Sequence, residues 1–74
     1  MPPPIISGKE CIAALQRAGF EQVRQKGSHV FMVRRTPFNA ASVPLHKELD
    51  RGTLRGILRD CGLTVEEFVA LLRK

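Results

Sequence analysis

The chain is poor in the groups on which most enzyme chemistry rests. Its 74 residues include no tryptophan, no tyrosine, two cysteines and two histidines. Cys11 and Cys61 show neither a Cys-x-x-Cys motif nor a Cys/His ligand spacing, which argues against zinc and redox motifs. Both fall at apolar positions of predicted helices, so buried free thiols are expected, with a Cys11–Cys61 disulfide as the alternative. No pair of carboxylates stands at metal-ligand spacing. A metal site would have to join His29 and His46 to a distant acid, so neither metal nor cofactor is expected. Lys26-Gly27-Ser28 lacks the longer glycine-rich run of a phosphate-cradling loop. No apolar stretch is long enough to span a bilayer. The lead Met1-Pro2-Pro3-Pro4-Ile5-Ile6 has neither the basic start nor the apolar core of a signal peptide, so a reducing cytoplasm is the expected location. At this length a chain hides only roughly 60% of its unfolded surface on folding. A deep, dry cavity is therefore out of reach, and any chemistry has to lie on an open surface.

Positive charge, by contrast, is abundant and unevenly placed. The formal net charge is +5. Between residues 22 and 59 eight basic residues (Arg24, Lys26, Arg34, Arg35, Lys47, Arg51, Arg55, Arg59) face two acids, Glu48 and Asp50. The segment before is neutral and the tail after it carries one excess negative charge. A basic stripe of this kind is the electrostatic footprint of a polyanion ligand, the alternative being a merely solvated basic surface.

Residues 1–6 read as an extended, proline-rich lead that frays at its start, and residues 7–74 as one domain. Ser7 with Glu10 forms a capping box, Cys11, Ile12, Leu15 and Ala18 recur at helical spacing, and Gly19 stops the helix. Phe20 to Gln25 reads as a first strand and residues 29–35 as its hairpin partner across a Gly27-Ser28 turn. On that second strand Val30 and Met32 point one way, Phe31 and Val33 the other. Helices cover one face, and either a partner or the C-terminal helix covers the other. Thr36-Pro37-Phe38-Asn39 reads as a turn, and Ala40 to Leu45 as a third strand whose Pro44 marks an edge or an end. Asp50 caps a second helix with an apolar stripe of Leu54, Ile57, Leu58 and Cys61, ended by Gly62. Arg51, Arg55 and Arg59 form a basic stripe beside it. Thr64 with Glu67 caps a short last helix carrying Phe68, Leu71 and Leu72. The predicted fold is α+β, a two-layer sandwich of helix, three antiparallel strands, helix and a short C-terminal helix.

The catalytic candidates reduce to His29 and His46. Ser28 as a nucleophile would need His29 as its base, but neighbours at a strand start point to opposite faces, so Ser28 reads as a turn residue close to the ligand. Cleavage of RNA needs little apparatus: a base for the 2′-hydroxyl proton, a cation for the crowded phosphate, and an acid for the leaving oxygen. His29 can be the base, or only a histidine that donates a hydrogen bond to a turn carbonyl, and Lys26 or Arg24 the cation, while His46 serves as acid, as a second phosphate contact, or only structurally. Arg51, Arg55 and Arg59 suit a row of phosphates, or are simply a solvated surface. The alternatives are a non-catalytic RNA-binding module of the same fold, and an adaptor whose basic face meets an acidic protein.

Four pieces, in order, resemble the HicA (YcfA-like) toxin family: Ala18-Gly19-Phe20 ending the first helix; Gln25-Lys26-Gly27-Ser28-His29; Val43-Pro44-Leu45-His46; and Gly52-Thr53-Leu54-Arg55-Gly56-Ile57-Leu58 running into Gly62-Leu63-Thr64. The resemblance covers about Ser7 to Leu72. It implies a double-stranded-RNA-binding-domain-like αβββα fold and metal-independent cleavage of messenger RNA, with the histidine of the Gly-Ser-His turn, here His29, as the catalytic residue. It also implies a HicB antitoxin that covers this histidine.

Overall fold

A computed structural model describes residues 2–74 and orders the elements as α1 (Gly8–Arg17), β1 (Glu21–Lys26), β2 (His29–Arg35), β3 (Phe38–Pro44), α2 (Arg51–Cys61) and α3 (Val65–Leu72). The expected α+β order is therefore the observed one. Each helix starts where a side chain satisfies its free N–H groups. The Ser7 hydroxyl accepts from Glu10 N at 3.1 Å while the Glu10 carboxylate accepts from Ser7 N at 2.9 Å. Thr64 and Glu67 repeat this box on α3, and Asp50 accepts from Thr53 N on α2. α1 and α2 end against Gly19 and Gly62, both with positive φ.

The sheet is antiparallel in the order β1-β2-β3. Val30, Met32, Ala41 and Val43 turn one face inward, onto Cys11, Ala14, Leu15, Leu54, Leu58 and Phe68. α1 lies against β3 and β1, and α2 against β3. α3 packs on α1 and α2 within the helical layer, so the C-terminal helix does not cover the far side of the sheet. That side stays open: Phe31 and Val33 are half-buried, and Val23 and Phe38 are exposed. Burying side chains the size of Val30 and Met32 is worth roughly 1.5–3 kcal/mol each. A one-residue slip of β2 would forfeit this and turn every side chain over. Those two residues thereby fix which way His29 points.

Three local features depart from the expected pattern. The β2–β3 turn is only Thr36-Pro37, joined by a cis peptide bond, and β3 starts at Phe38 rather than Ala40. Asn39 carries a turn composition, yet its amide donates to the Asp60 carbonyl at 3.2 Å and its Oδ1 accepts from Arg34, a tertiary use that drew it into the strand. β1 is exposed along its whole length and bulges at Val23, between the Gln22–Met32 and Arg24–Phe31 pairs. The lead is packed rather than loose, since Pro3 and Ile6 are buried and Ile6 O accepts from Leu49 N at 2.7 Å. The expected fraying at Met1 lies outside the described residues. Cys11 and Cys61 are free, buried thiols. Burial pushes the Cys11 thiol up to about 12, helped by Cys61, and Cys61 up to about 11, helped by Asp60.

Candidate functional site

Lys26 and His29 close the β1–β2 hairpin as its last cross-strand pair. Residues directly opposite in an antiparallel ladder share a face. The alternation of β2, with Val30 and Met32 inward, places that face on the open side. The turn between them has two residues, and only Gly27 takes a positive φ, +57°. The Gln25 amide braces it by donating to the Gly27 carbonyl at 3.0 Å. His29 is thus an exposed side chain on a rigid strand end, with a lysine beside it.

On the other flank His29 pairs with Pro44 of β3, and Leu45 N donates to the Ser28 carbonyl at 2.6 Å. This brings the backbone of His46, the next residue, beside the hairpin turn. His46 is exposed, and its carbonyl accepts from Gly8 N at 2.9 Å. Gly8 is required there, because a Cβ would collide with the Pro44 carbonyl oxygen and press on Leu45 Cα. The first turn of α1 therefore holds the chain between β3 and His46 in place. Further along the loop, the Asp50 carboxyl is held below its usual range by the Thr53 backbone N–H and then the Thr53 hydroxyl, with a small contribution from His46.

One pair further into the sheet, Arg24 faces Phe31, its guanidinium carbon 4.9 Å from the ring centroid. Together with Val23, Val33, Ala40 and Ser42 they line a shallow, mainly apolar groove on the open face. Lys26, His29, Arg24 and, through the Leu45 bond, the backbone of Ser28 and His46 are thus brought together around one hairpin end. Arg51, Arg55 and Arg59 are exposed on α2, in the helical layer, and no hydrogen bond or ion pair among the described residues ties them to His29. Among the described residues no three of His, Cys, Asp and Glu converge as metal ligands.

Two residues of the basic segment have other duties. Arg34 turns inward, on the same side of β2 as Val30 and Met32. It donates to Asn39 Oδ1 at 2.7 Å and to the Cys61 carbonyl at 3.3 Å, and it lies over the Phe20 ring at 4.8 Å. Arg35 pairs with Glu21 at 2.9 Å on the surface. The strand alternation itself signals Arg34's direction, whereas a charge count does not. Phe31, read from sequence only as part of an apolar face, lines the groove.

The protein is thus a small, basic, two-layer α+β domain that exposes a histidine and a lysine on an uncovered sheet face. The profile of the family described as HicA toxin of bacterial toxin-antitoxin matches residues 8–63, from the first residue of α1 to just past α2. The chain belongs to the HicA toxin family, the toxin side of toxin-antitoxin systems, in which a toxin is paired with an antitoxin. Comparison with curated proteins finds no match.

Proposed function

We propose that this chain is a metal-independent ribonuclease that cleaves messenger RNA in the cytoplasm, with His29 as its catalytic base, and that a HicB-type antitoxin silences it by covering that residue. The observation that carries this reading is the Lys26–His29 pair, exposed side by side on the open face at a turn braced by the Gln25 amide. In this mechanism the His29 imidazole takes the 2′-hydroxyl proton, the 2′ oxygen attacks phosphorus, and the bond to the 5′ oxygen breaks. Lys26 and Arg24 stabilise the extra charge on the phosphate, and the leaving oxygen is protonated by His46 or by water. Ser28, through the turn it builds, lies against the same phosphate, and Arg51, Arg55 and Arg59 hold neighbouring phosphates along the strand.

The test is to incubate the purified chain with a long RNA in excess chelator. The wild type should degrade it, and His29→Ala should lose at least about 100-fold in rate, the usual worth of a positioned proton-transfer group, while keeping its fold. Undiminished cleavage by His29→Ala would remove the role given to that residue. Salt-sensitive binding without any cleavage by the wild type would leave an RNA-binding module. No affinity for RNA at all would leave a protein adaptor.

A further inference from the structure

We propose that the groove on the open sheet face is a base-stacking subsite for single-stranded RNA, with Phe31 and Arg24 receiving the base next to the phosphate held at Lys26 and His29. This rests on the RNA-cleaving reading above and adds to it the conformation of the substrate and the residues that select it.

The geometry supplies each part. His29 and Phe31 lie two residues apart on one face of β2. That separation is about 7 Å along the strand, comparable to one nucleotide of an extended strand. The face of Phe31 is approached by no large neighbour from β3, since its cross-strand partner there is Ser42, and Ala40 lies beside Val33. From β1 it is approached by the Arg24 guanidinium, 4.9 Å from the ring centroid. A planar cation against an aromatic ring is the clamp in which unstacked bases are held, either on the ring or on the guanidinium plane. Arg24 is exposed on a flexible stem, so it can shift from the ring to the adjoining phosphate as a base enters.

Charge favours nucleic acid over an apolar peptide on this face. Arg24, Lys26 and Arg35 project from it, against one strand acid, Glu21, which is already paired with Arg35, and Asp60 at the groove's rim. The face continues past Val33 to Phe38, which is 70% exposed and pairs with Arg35. A second exposed ring at the far end of the same path is what a strand of several bases can use. A duplex cannot use this surface, because its bases are already stacked and paired.

The experiment measures binding of the wild-type chain to a fluorescent oligoribonucleotide made uncleavable by 2′-O-methylation, with an abasic site walked along it one position at a time. One position should weaken binding about 10-fold, within the range for loss of a single base–aromatic stack, and the penalty at that position should vanish in Phe31→Leu. The same oligonucleotide annealed to its complement should bind more weakly than the single strand. Equal affinity for every abasic strand, unchanged abasic penalties in Phe31→Leu, or a preference for the duplex each overturns the inference and leaves this face to a protein partner. Because the abasic series needs no protein variant, misfolding of Phe31→Leu cannot hide the answer. Because the probe is uncleavable, failure here stands apart from failure of the cleavage assay with plain RNA.

Discussion

At the scale of single residues, Arg34 and His29 lie at opposite ends of one strand and on its two opposite faces. Arg34 gives its charge to the fold. Its guanidinium reaches the last-turn carbonyl of α2 at Cys61, the side chain of Asn39 and the Phe20 ring, at the helix end where a cation is favoured. Arg34→Ala should cost about 2 kcal/mol, the scale of a partly buried hydrogen bond to a charged group, read as a lower urea midpoint. Arg34→Lys should recover little of it, because an ammonium cannot reproduce the planar fork. A variant as stable as wild type would show that Asn39 alone holds the α2 terminus. The place of His29 at the start of β2 was legible in the sequence because its signal is local, a Gly-Ser turn followed by an apolar run. The inward direction of Arg34 was in the strand alternation, but its partners were not legible, because they lie 5 and 27 residues away and a charge count treats every arginine alike.

At the scale of elements, legibility followed the caps. Ser7 with Glu10, Asp50, Thr64 with Glu67, and the glycines at 19 and 62 marked helix ends within a residue or two. These signals work because an exposed helix terminus must satisfy its own N–H groups nearby. The start of β3 escaped, since Asn39's bonds to α2 are tertiary. Two predictions belong here. Gly8→Ala should destabilise by about 2 kcal/mol or more, the scale of forcing an atom into packed surroundings, and should lower RNA cleavage in the folded fraction by shifting the Pro44–His46 segment. Unchanged urea unfolding would show that the contact relaxes freely. The second concerns acid. The carboxyls of Asp50 and Glu67 are held below their ordinary values of 3.8 and 4.5, each first by a backbone N–H, from Thr53 and Thr64 respectively. A depressed carboxyl stabilises the fold fully above its unfolded value, and the contribution is lost as pH falls through the folded one. Stability should therefore decline below about pH 4.5, and the Asp50→Asn, Glu67→Gln pair should flatten that decline, because amides cap without titrating. An identical acid profile for the pair would place the acid sensitivity elsewhere.

At the scale of the whole molecule, the exposed positive charge falls in two regions: the hairpin end with Arg24, Lys26 and His29, and the α2 stripe of Arg51, Arg55 and Arg59. Sequence periodicity showed that the three arginines share one helix face, but their relation to His29 depends on how α2 docks along β3, which no local pattern reveals. If the stripe follows the same RNA strand, each arginine that meets a phosphate releases counterions. The logarithm of the binding constant should then fall with the logarithm of salt by about 0.7 per contact for a single strand. Replacing all three by glutamine should shallow that slope by about 2, weaken binding similarly for every sequence, and leave the abasic penalty at Phe31 untouched. The substitutions keep long helix-forming side chains on an exposed face, so stability should change little. A slope equal to that of the wild type would make the stripe a solvated surface and confine the RNA to the open sheet face. A shallower slope accompanied by loss of the Phe31 penalty would instead mean that α2 sets the path of the strand across the sheet, making the two regions one site.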